Sequence, residues 1–208
     1  MYVADFFRNG ALEQIVTFYK SGVSYPLAGR DEIVRLFPQL RGKYPSYASF
    51  GASRIEDVLP GSELAHATVL EAFTFASAIA RNGGASGFAF DTLPVAAQIA
   101  PMRASLASDF DGDGHADLLL GGNFYGVPPL FGRYDASYSV LLRGGSGAYS
   151  AVDLEAGAPA IDGQIRKLGL ARGAGGRTLI LVARNDDRLL VLRPRSASPH
   201  PTLARAPR

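Results

Sequence analysis

Four aspartates at alternating positions constrain this chain more than any other feature of its sequence. Asp109, Asp111, Asp113 and Asp117 lie in the run Asp-Phe-Asp-Gly-Asp-Gly-His-Ala-Asp, and the apolar run Leu118–Leu120 follows at once. Alternating residues of a tight turn can point several carboxylates inward, and carboxylates this close repel one another unless a cation lies among them. Calcium takes six to eight oxygen ligands at about 2.3–2.6 Å. The loop therefore predicts a Ca²⁺ site that leads directly into a β-strand.

A fifth ligand is predicted from the same loop, because the carbonyl oxygen of His115 lies at position seven. An EF-hand loop would end with a bidentate acid at position twelve. Here position twelve is Leu120, inside the predicted strand, so the site joins two strands rather than two helices. The alternative interpretation is a solvated acidic turn, since Asp and Gly are ordinary turn formers.

A weaker copy of the loop lies 104 residues earlier in the chain. In Asp5–Glu13 the first Asp, the Phe after it, the Gly at position six and the final acid match in register. Phe7 and Asn9 stand where the strong loop has Asp111 and Asp113. Because only two carboxylates remain, we expect this first loop to bind calcium weakly or not at all.

Glycine-rich segments provide a second marker of a repeat. Segments 83–87 and 144–147 follow their loops at equivalent positions only if 43 residues are inserted in the first copy, and the period is then 61 residues. A shift of 61 residues forward places the strong loop's glycines on Gly173 and Gly175 and its apolar run on Leu179–Leu181. This third copy has no acid, so we expect no metal there.

The insertion is predicted to be a short helical segment at about 30–66. Asp31–Phe37 has the pattern of an amphipathic helix with an acidic first turn, and Ser53–Leu59 is a second predicted helix. The proline-rich segment 194–208 has no periodicity and is predicted to be a disordered tail. Elsewhere the pattern predicts strands at Ile15–Lys20, Val69–Ile79, Phe88–Phe90, Leu118–Leu120, Tyr138–Leu142, Thr178–Ala183 and Leu189–Leu192.

The acidic loop resembles the Asp-x-Asp-Gly-Asp-Gly-x-x-Asp signature of FG-GAP/VCBS repeats, as in the N-terminal β-propeller of integrin α-subunits. Segment 122–138 resembles the C-terminal part of bacterial VCBS-repeat proteins related to the ASPIC/UnbV group. The resemblance covers roughly residues 1–193. It implies an all-β fold, a partial β-propeller of two to three blades with a short helical insertion in the first. It also implies calcium ligation by the five residues named above and an extracellular, periplasmic or cell-surface location.

The segment after the predicted strand at Leu118–Leu120 is a second candidate site. It is rich in aromatic rings around a polar pair, and the candidate ligand-binding residues are Asn123, Tyr125, Arg133, Tyr134 and Asp135. Such a set can form a sugar- or peptide-binding face on a connecting loop. The alternative interpretation is packing between blades, with Arg133 and Asp135 as a structural ion pair.

Composition excludes several other functions. The chain has no cysteine, which excludes disulfides, thiol catalysis and cysteine-ligated metals. The net charge of +2 and the scattered arginines give no footprint for nucleic acid. There is no run of 18 apolar residues, so no transmembrane helix is predicted. No recognisable pair of catalytic carboxylates occurs, so no catalytic residue is assigned.

The sequence thus predicts a non-enzymatic, calcium-stabilised interaction module of an exported or surface bacterial protein, with a protein or glycan as ligand. The alternative is an accessory or glycan-active enzyme with its site on the Asn123–Asp135 loop. The start at Met1–Asp5 shows no signal peptide. Because two to three blades do not close a ring, we expect further blades upstream and self-association of the chain through open sheet edges.

Overall fold

The computed structural model describes residues 1–145 and 147–194, so the predicted tail lies outside the described residues from 195 onward. The chain divides into two compact units, Met1–Phe75 and a second that begins at Ala76. Within the described residues every paired strand is antiparallel, the sheets have two to four strands each, and none closes on itself. The predicted predominance of β-structure is therefore confirmed.

The first unit combines two small sheets with a helical segment. Strand β1 lies between β2 and β5 in one sheet, and β3 pairs with β4 in a hairpin. Four α-helices lie within the stretch 30–66, where the sequence predicts helices. The strands are β1 (Tyr2–Ala4), β2 (Glu13–Ile15), β3 (Thr17–Lys20), β4 (Val23–Pro26) and β5 (Thr68–Val69). The helices are α1 (Arg30–Leu36), α2 (Tyr47–Phe50), α3 (Ile55–Val58) and α4 (Gly61–His66).

The core of the first unit lies between the helices and β2. Ile33 of α1 and Ile55 of α3 are fully buried, and they pack in one cluster with Ile15 of β2. The acidic first turn of α1 is present as predicted, with Asp31 and Glu32 beside the positive end of the helix dipole. Burial of these branched side chains stabilises helices that are too short to form alone.

The second unit is built from antiparallel meanders. Strands β8 to β11 form a four-stranded sheet in chain order, β12 to β14 form a three-stranded sheet, and β6 pairs with β7 in a hairpin. Their bounds are β6 (Ala78–Asn82), β7 (Phe88–Thr92), β8 (Met102–Ser108), β9 (Asp117–Gly122), β10 (Val140–Arg143), β11 (Ser150–Val152), β12 (Ile165–Arg172), β13 (Thr178–Arg184) and β14 (Leu190–Leu192).

Strand β9 is buried on both faces, which explains its uninterrupted apolar run. Leu119 packs against Ile165 and Val182 of the three-stranded sheet. Its neighbour Leu120 points to the opposite face and packs against Leu142 of β10. Burial on both sides makes β9 the rigid element from which the acidic loop extends.

Two predicted strands are wrong in their extent. Ile15–Lys20 is divided into β2 and β3, because the carbonyl of Val16 accepts a hydrogen bond from Leu27 and the chain turns away from β1. Val69–Ile79 is not one strand. Strand β1 offers β5 only two partners, so β5 ends at Val69 and pairing resumes in β6.

The third copy of the loop also differs from its predicted alignment. Strands β8 and β9 are joined by eight residues, 109–116. Strands β12 and β13 are joined by five residues, 173–177. The later hairpin therefore has a tighter turn, and Gly173 has φ −86° where Gly112 has φ +85°. Strand β13 still begins 61 residues after β9, as the alignment predicts.

Candidate metal centre

The two ends of the acidic loop are fixed by the β8–β9 ladder. Ser108 pairs with Asp117 as the last rung, and Asp109 is the first residue beyond it. Both aspartates are buried, with 7% of Asp109 and 3% of Asp117 exposed. Between them, Gly112 and Gly114 have φ angles of +85° and +88°, a region that glycine enters without steric cost.

Asp109 holds the loop in its curled form. Its Oδ1 accepts a hydrogen bond from the backbone N–H of Gly112 at 2.6 Å, and its Oδ2 accepts one from Gly114 at 3.0 Å. Each carboxylate oxygen can accept two hydrogen bonds or one bond and a metal. The buried carboxylate is thus satisfied and keeps lone pairs free for a cation.

Asp117 ties the loop to a second strand. Its Oδ2 accepts a hydrogen bond from the backbone N–H of Phe110 at 2.8 Å, and its Oδ1 accepts one from Gly144 at 2.8 Å. Gly144 follows β10 directly, and a Cβ atom there would collide with the backbone carbonyl of Ala116. The glycine therefore permits the close approach that joins β10 to the loop.

Asp111 completes a group of three acids. One carboxylate oxygen each of Asp109, Asp111 and Asp117 lies within 4.8 Å of the others. The Oδ2 of Asp111 forms an ion pair with the Nε of Arg143 at 2.7 Å. Three carboxylates with one nearby arginine leave net negative charge, and an all-oxygen donor set suits a hard cation such as calcium or magnesium.

One predicted carboxylate ligand, Asp113, lies outside this group. The carboxylate of Asp113 instead accepts a hydrogen bond from the backbone N–H of His115 at 2.8 Å, and both residues are exposed. The local bond is an Asx-type turn, which short polar side chains form readily. The structure therefore brings together three of the four predicted carboxylates, and ligation by the carbonyl oxygen of His115 stays a prediction.

The first loop makes hydrogen bonds that correspond to those of the acidic loop. Asp5 Oδ2 accepts from the N–H of Gly10 at 2.7 Å, and Glu13 Oε2 accepts from the N–H of Phe6 at 2.9 Å. Shifted by 104 residues, these are the bonds of Asp109 and Asp117. Strands β1 and β2 also pair in the same register as β8 and β9.

The first loop lacks the third carboxylate. The carboxylate of Asp5 accepts backbone hydrogen bonds from Asn9 and Gly10, and these lower its pKa below the usual value. In the described part of the chain, Asp109, Asp111 and Asp117 are the only three acids that come within range of one ion.

The second candidate site divides into a buried and an exposed part. Asn123 is 2% exposed with φ +74°. Its Nδ2 donates to the carbonyls of Ser137 at 2.7 Å and Gly163 at 3.0 Å, and its Oδ1 accepts from the N–H of Ser137 at 3.1 Å. Its amide is used inside the protein, which makes Asn123 a link between loops rather than a surface for a ligand.

The exposed part contains the predicted ion pair. Arg133 Nε lies 3.6 Å from Asp135 Oδ2, and its guanidinium stacks on Tyr125, with the central carbon 3.9 Å from the ring centroid. Tyr134 lies between them in sequence and is 43% exposed.

Three arginines that contact the two candidate sites have no signature in the sequence. Arg143 reaches the acidic loop from β10, while Arg103 of β8 and Arg166 of β12 both lie over the ring of Phe124. No spacing in the sequence relates these arginines to their partners, because the contacts depend on strand pairing and sheet packing.

Together the fold and the site define an antiparallel β protein with an acidic hairpin loop suited to a hard cation. No protein-family model matches the chain, and no match was found among curated proteins or solved structures. The resemblance to FG-GAP/VCBS repeats therefore depends on the acidic loop and segment 122–138, and it stays a prediction. No helix among the described residues is long and apolar enough to cross a membrane.

Proposed function

We propose that this chain is a calcium-stabilised interaction module made of FG-GAP/VCBS-type β-propeller blades, without enzymatic activity, from an exported or surface bacterial protein. The observation that carries the proposal is the convergence of Asp109, Asp111 and Asp117 at the end of the β8–β9 hairpin. Their donor set, one oxygen from each of three carboxylates, is of the hard all-oxygen kind that calcium binds.

The role of the cation in this proposal is structural. Calcium would hold Asp109 and Asp117 at the two ends of the loop and Asp111 in its middle. Since Asp117 also accepts a hydrogen bond from Gly144, the same ion would join β8, β9 and the end of β10. Neighbouring loops would then be presented in a fixed arrangement to a protein or glycan.

Two features of the fold support the proposal that the chain contains propeller blades. The sheet β8–β11 is a four-stranded antiparallel meander in chain order, which is the architecture of a propeller blade. The sheet β12–β14 repeats the first three strands of that order. The corresponding hydrogen bonds of the loops at Asp5 and Asp109 support a repeated unit.

Calorimetric titration of the full chain tests the calcium site. We expect one binding site, and a loss of affinity of at least about tenfold in Asp111→Asn, because a charged ligand oxygen is removed. Asp186→Asn is the matched control. It makes the same change at an exposed aspartate of the turn between β13 and β14, so its affinity should stay within about threefold. No calcium binding, or equal losses in the two variants, would contradict the assignment.

The enzymatic alternative placed its site on the Asn123–Asp135 loop. Asn123 is buried and bonded within the protein, and Asp135 is paired with Arg133. We therefore propose binding rather than catalysis for this segment.

A further inference from the structure

A single β-bridge divides the aromatic segment 124–134 into two faces. Phe124 and Tyr134 exchange both backbone hydrogen bonds, at 2.8 and 3.0 Å. In an antiparallel bridge the two opposed side chains project to the same side, and their sequence neighbours project to the other. Phe124 and Tyr134 therefore share one face, and Tyr125 and Arg133 share the opposite face.

The face of Tyr125 and Arg133 is electrically neutral. Its arginine is stacked on Tyr125 and paired with Asp135, which also neighbours Tyr134 in sequence and projects to this side. The charge of Arg133 is thus compensated within the segment itself.

The face of Phe124 and Tyr134 carries positive charge that is not compensated. Arg103 and Arg166 place their guanidinium carbons 4.8 and 5.7 Å from the centroid of the Phe124 ring. Arg166 is oriented by a hydrogen bond of 2.9 Å to Gln164, whose side chain is buried. Neither arginine forms an ion pair with a carboxylate of the described chain. Two cations therefore lie over the half-buried ring of Phe124, on the side to which the exposed Tyr134 also projects.

We propose that this face binds an acidic polysaccharide of the uronic acid class. A guanidinium matches a carboxylate with two parallel hydrogen bonds. An exposed ring such as that of Tyr134 provides an apolar plate for the C–H face of a pyranose. A nucleic acid fits less well, since the whole chain has a net charge of only +2 and the two arginines form no extended basic stripe.

This inference rests on the proposed function as an interaction module and specifies its ligand. It adds Arg103 and Arg166, from β8 and β12, to a site that the sequence placed only on the Asn123–Asp135 loop. It also selects Tyr134 and separates it from Tyr125 and Arg133, which belong to the opposite face.

Binding of three matched ligands to the full chain tests the proposal by calorimetry at low ionic strength. Trigalacturonate carries both the sugar rings and the carboxylates, maltotriose only the sugar rings, and triglutamate only the carboxylates. We expect trigalacturonate to bind at least about tenfold more tightly than either of the others. Arg103→Gln and Arg166→Gln should each weaken it by about tenfold, as for the loss of one charge-assisted hydrogen-bonded pair.

Arg172→Gln is the control, because it removes an exposed arginine at the opposite end of β12 from Arg166 and should leave affinity within about twofold. Triglutamate binding as tightly as trigalacturonate, tighter binding of a single-stranded DNA trimer, or no trigalacturonate binding would each overturn the proposal.

A calcium titration of the same samples separates the polysaccharide hypothesis from the calcium hypothesis. If calcium binds and trigalacturonate does not, the polysaccharide proposal fails and the calcium site stands. If trigalacturonate binds and calcium does not, the proposed calcium role fails and the polysaccharide face stands.

Discussion

At the residue scale, the carboxylates of the acidic loop have two different functions. Asp109 and Asp117 accept four backbone hydrogen bonds, and these bonds shape the loop. Asp111 accepts one longer backbone bond, from Asp113 at 3.2 Å, and its other oxygen is paired with Arg143. A cation that enters the loop must therefore compete with Arg143 for Asp111.

We predict that Arg143→Gln raises calcium affinity by about tenfold. A divalent cation and a guanidinium around one carboxylate repel by more than about 1 kcal/mol even at the dielectric constant of water. Without the arginine that repulsion is absent. Calorimetric titration measures the change, and Arg172→Gln is the matched control, since Arg172 is also an exposed arginine at the end of a strand. Unchanged or weaker calcium binding in Arg143→Gln would show that the arginine does not oppose the cation.

Asp5 gives a prediction about pH at the same scale. Its backbone hydrogen bonds lower its pKa in the folded chain below the ordinary value of 3.8. A lowered folded pKa adds stability above the unfolded pKa, and this is lost as the pH falls through the folded pKa. Asp5→Asn should therefore lower the melting temperature of the first unit at pH 7, and the difference from the original chain should shrink below about pH 4. A difference that is the same at pH 7 and pH 2, followed by circular dichroism, would contradict this.

At the scale of elements, Asn123 connects the end of β9 to two later loops. Its two hydrogen bonds with Ser137 are buried, and the one to Gly163 is partly buried. They fix where the chain goes after β9 and hence where Phe124 lies.

We predict that Asn123→Ala destabilises the second unit by about 3 kcal/mol, from lost hydrogen bonds and carbonyls left buried without partners. Part of this loss of stability comes from backbone strain, because alanine is disfavoured at positive φ. Asn123→Gly should therefore be about 1 kcal/mol more stable than Asn123→Ala. Urea denaturation measures both, with Asn185→Ala as the control because Asn185 is exposed. A loss below about 1 kcal/mol in Asn123→Ala would mean that the link is weak.

At the scale of the whole molecule, the chain divides into Met1–Phe75 and a unit from Ala76 onward, so the proposed calcium ion would stabilise one unit only. The group of three acids belongs entirely to the second unit. An ion that binds only the folded form adds about 2.7 kcal/mol at a hundredfold excess over its Kd.

We predict two transitions in differential scanning calorimetry, since separate units need not unfold together. Calcium should raise the temperature of one transition and leave the other within about a degree. In the Asp111→Asn variant, calcium should raise that transition temperature much less. A single transition, or an equal shift of both, would show that the units are energetically coupled or that the first loop also binds.

The local sequence pattern was enough to predict the acidic loop, the strand after it and the helical stretch 30–66. In each case the determining contacts lie within a few residues, as the bonds of Asp109 to Gly112 and Gly114 show. Pattern failed within Val69–Ile79, because residues 70–77 belong to no strand of the described chain, and Phe73 and Phe75 are 84% and 85% exposed.

By itself the sequence determined where carboxylates are concentrated and which strand lies beside them, because turn chemistry and hydrophobic patterning act over short stretches of chain. Only the tertiary structure decided which groups surround them. Arg143 reaches Asp111 from 32 positions away in sequence, and Arg103 and Arg166 meet at Phe124 from two different sheets. Such neighbours follow from strand register and from packing of one sheet on another, and neither is expressed in the spacing of residues along the chain.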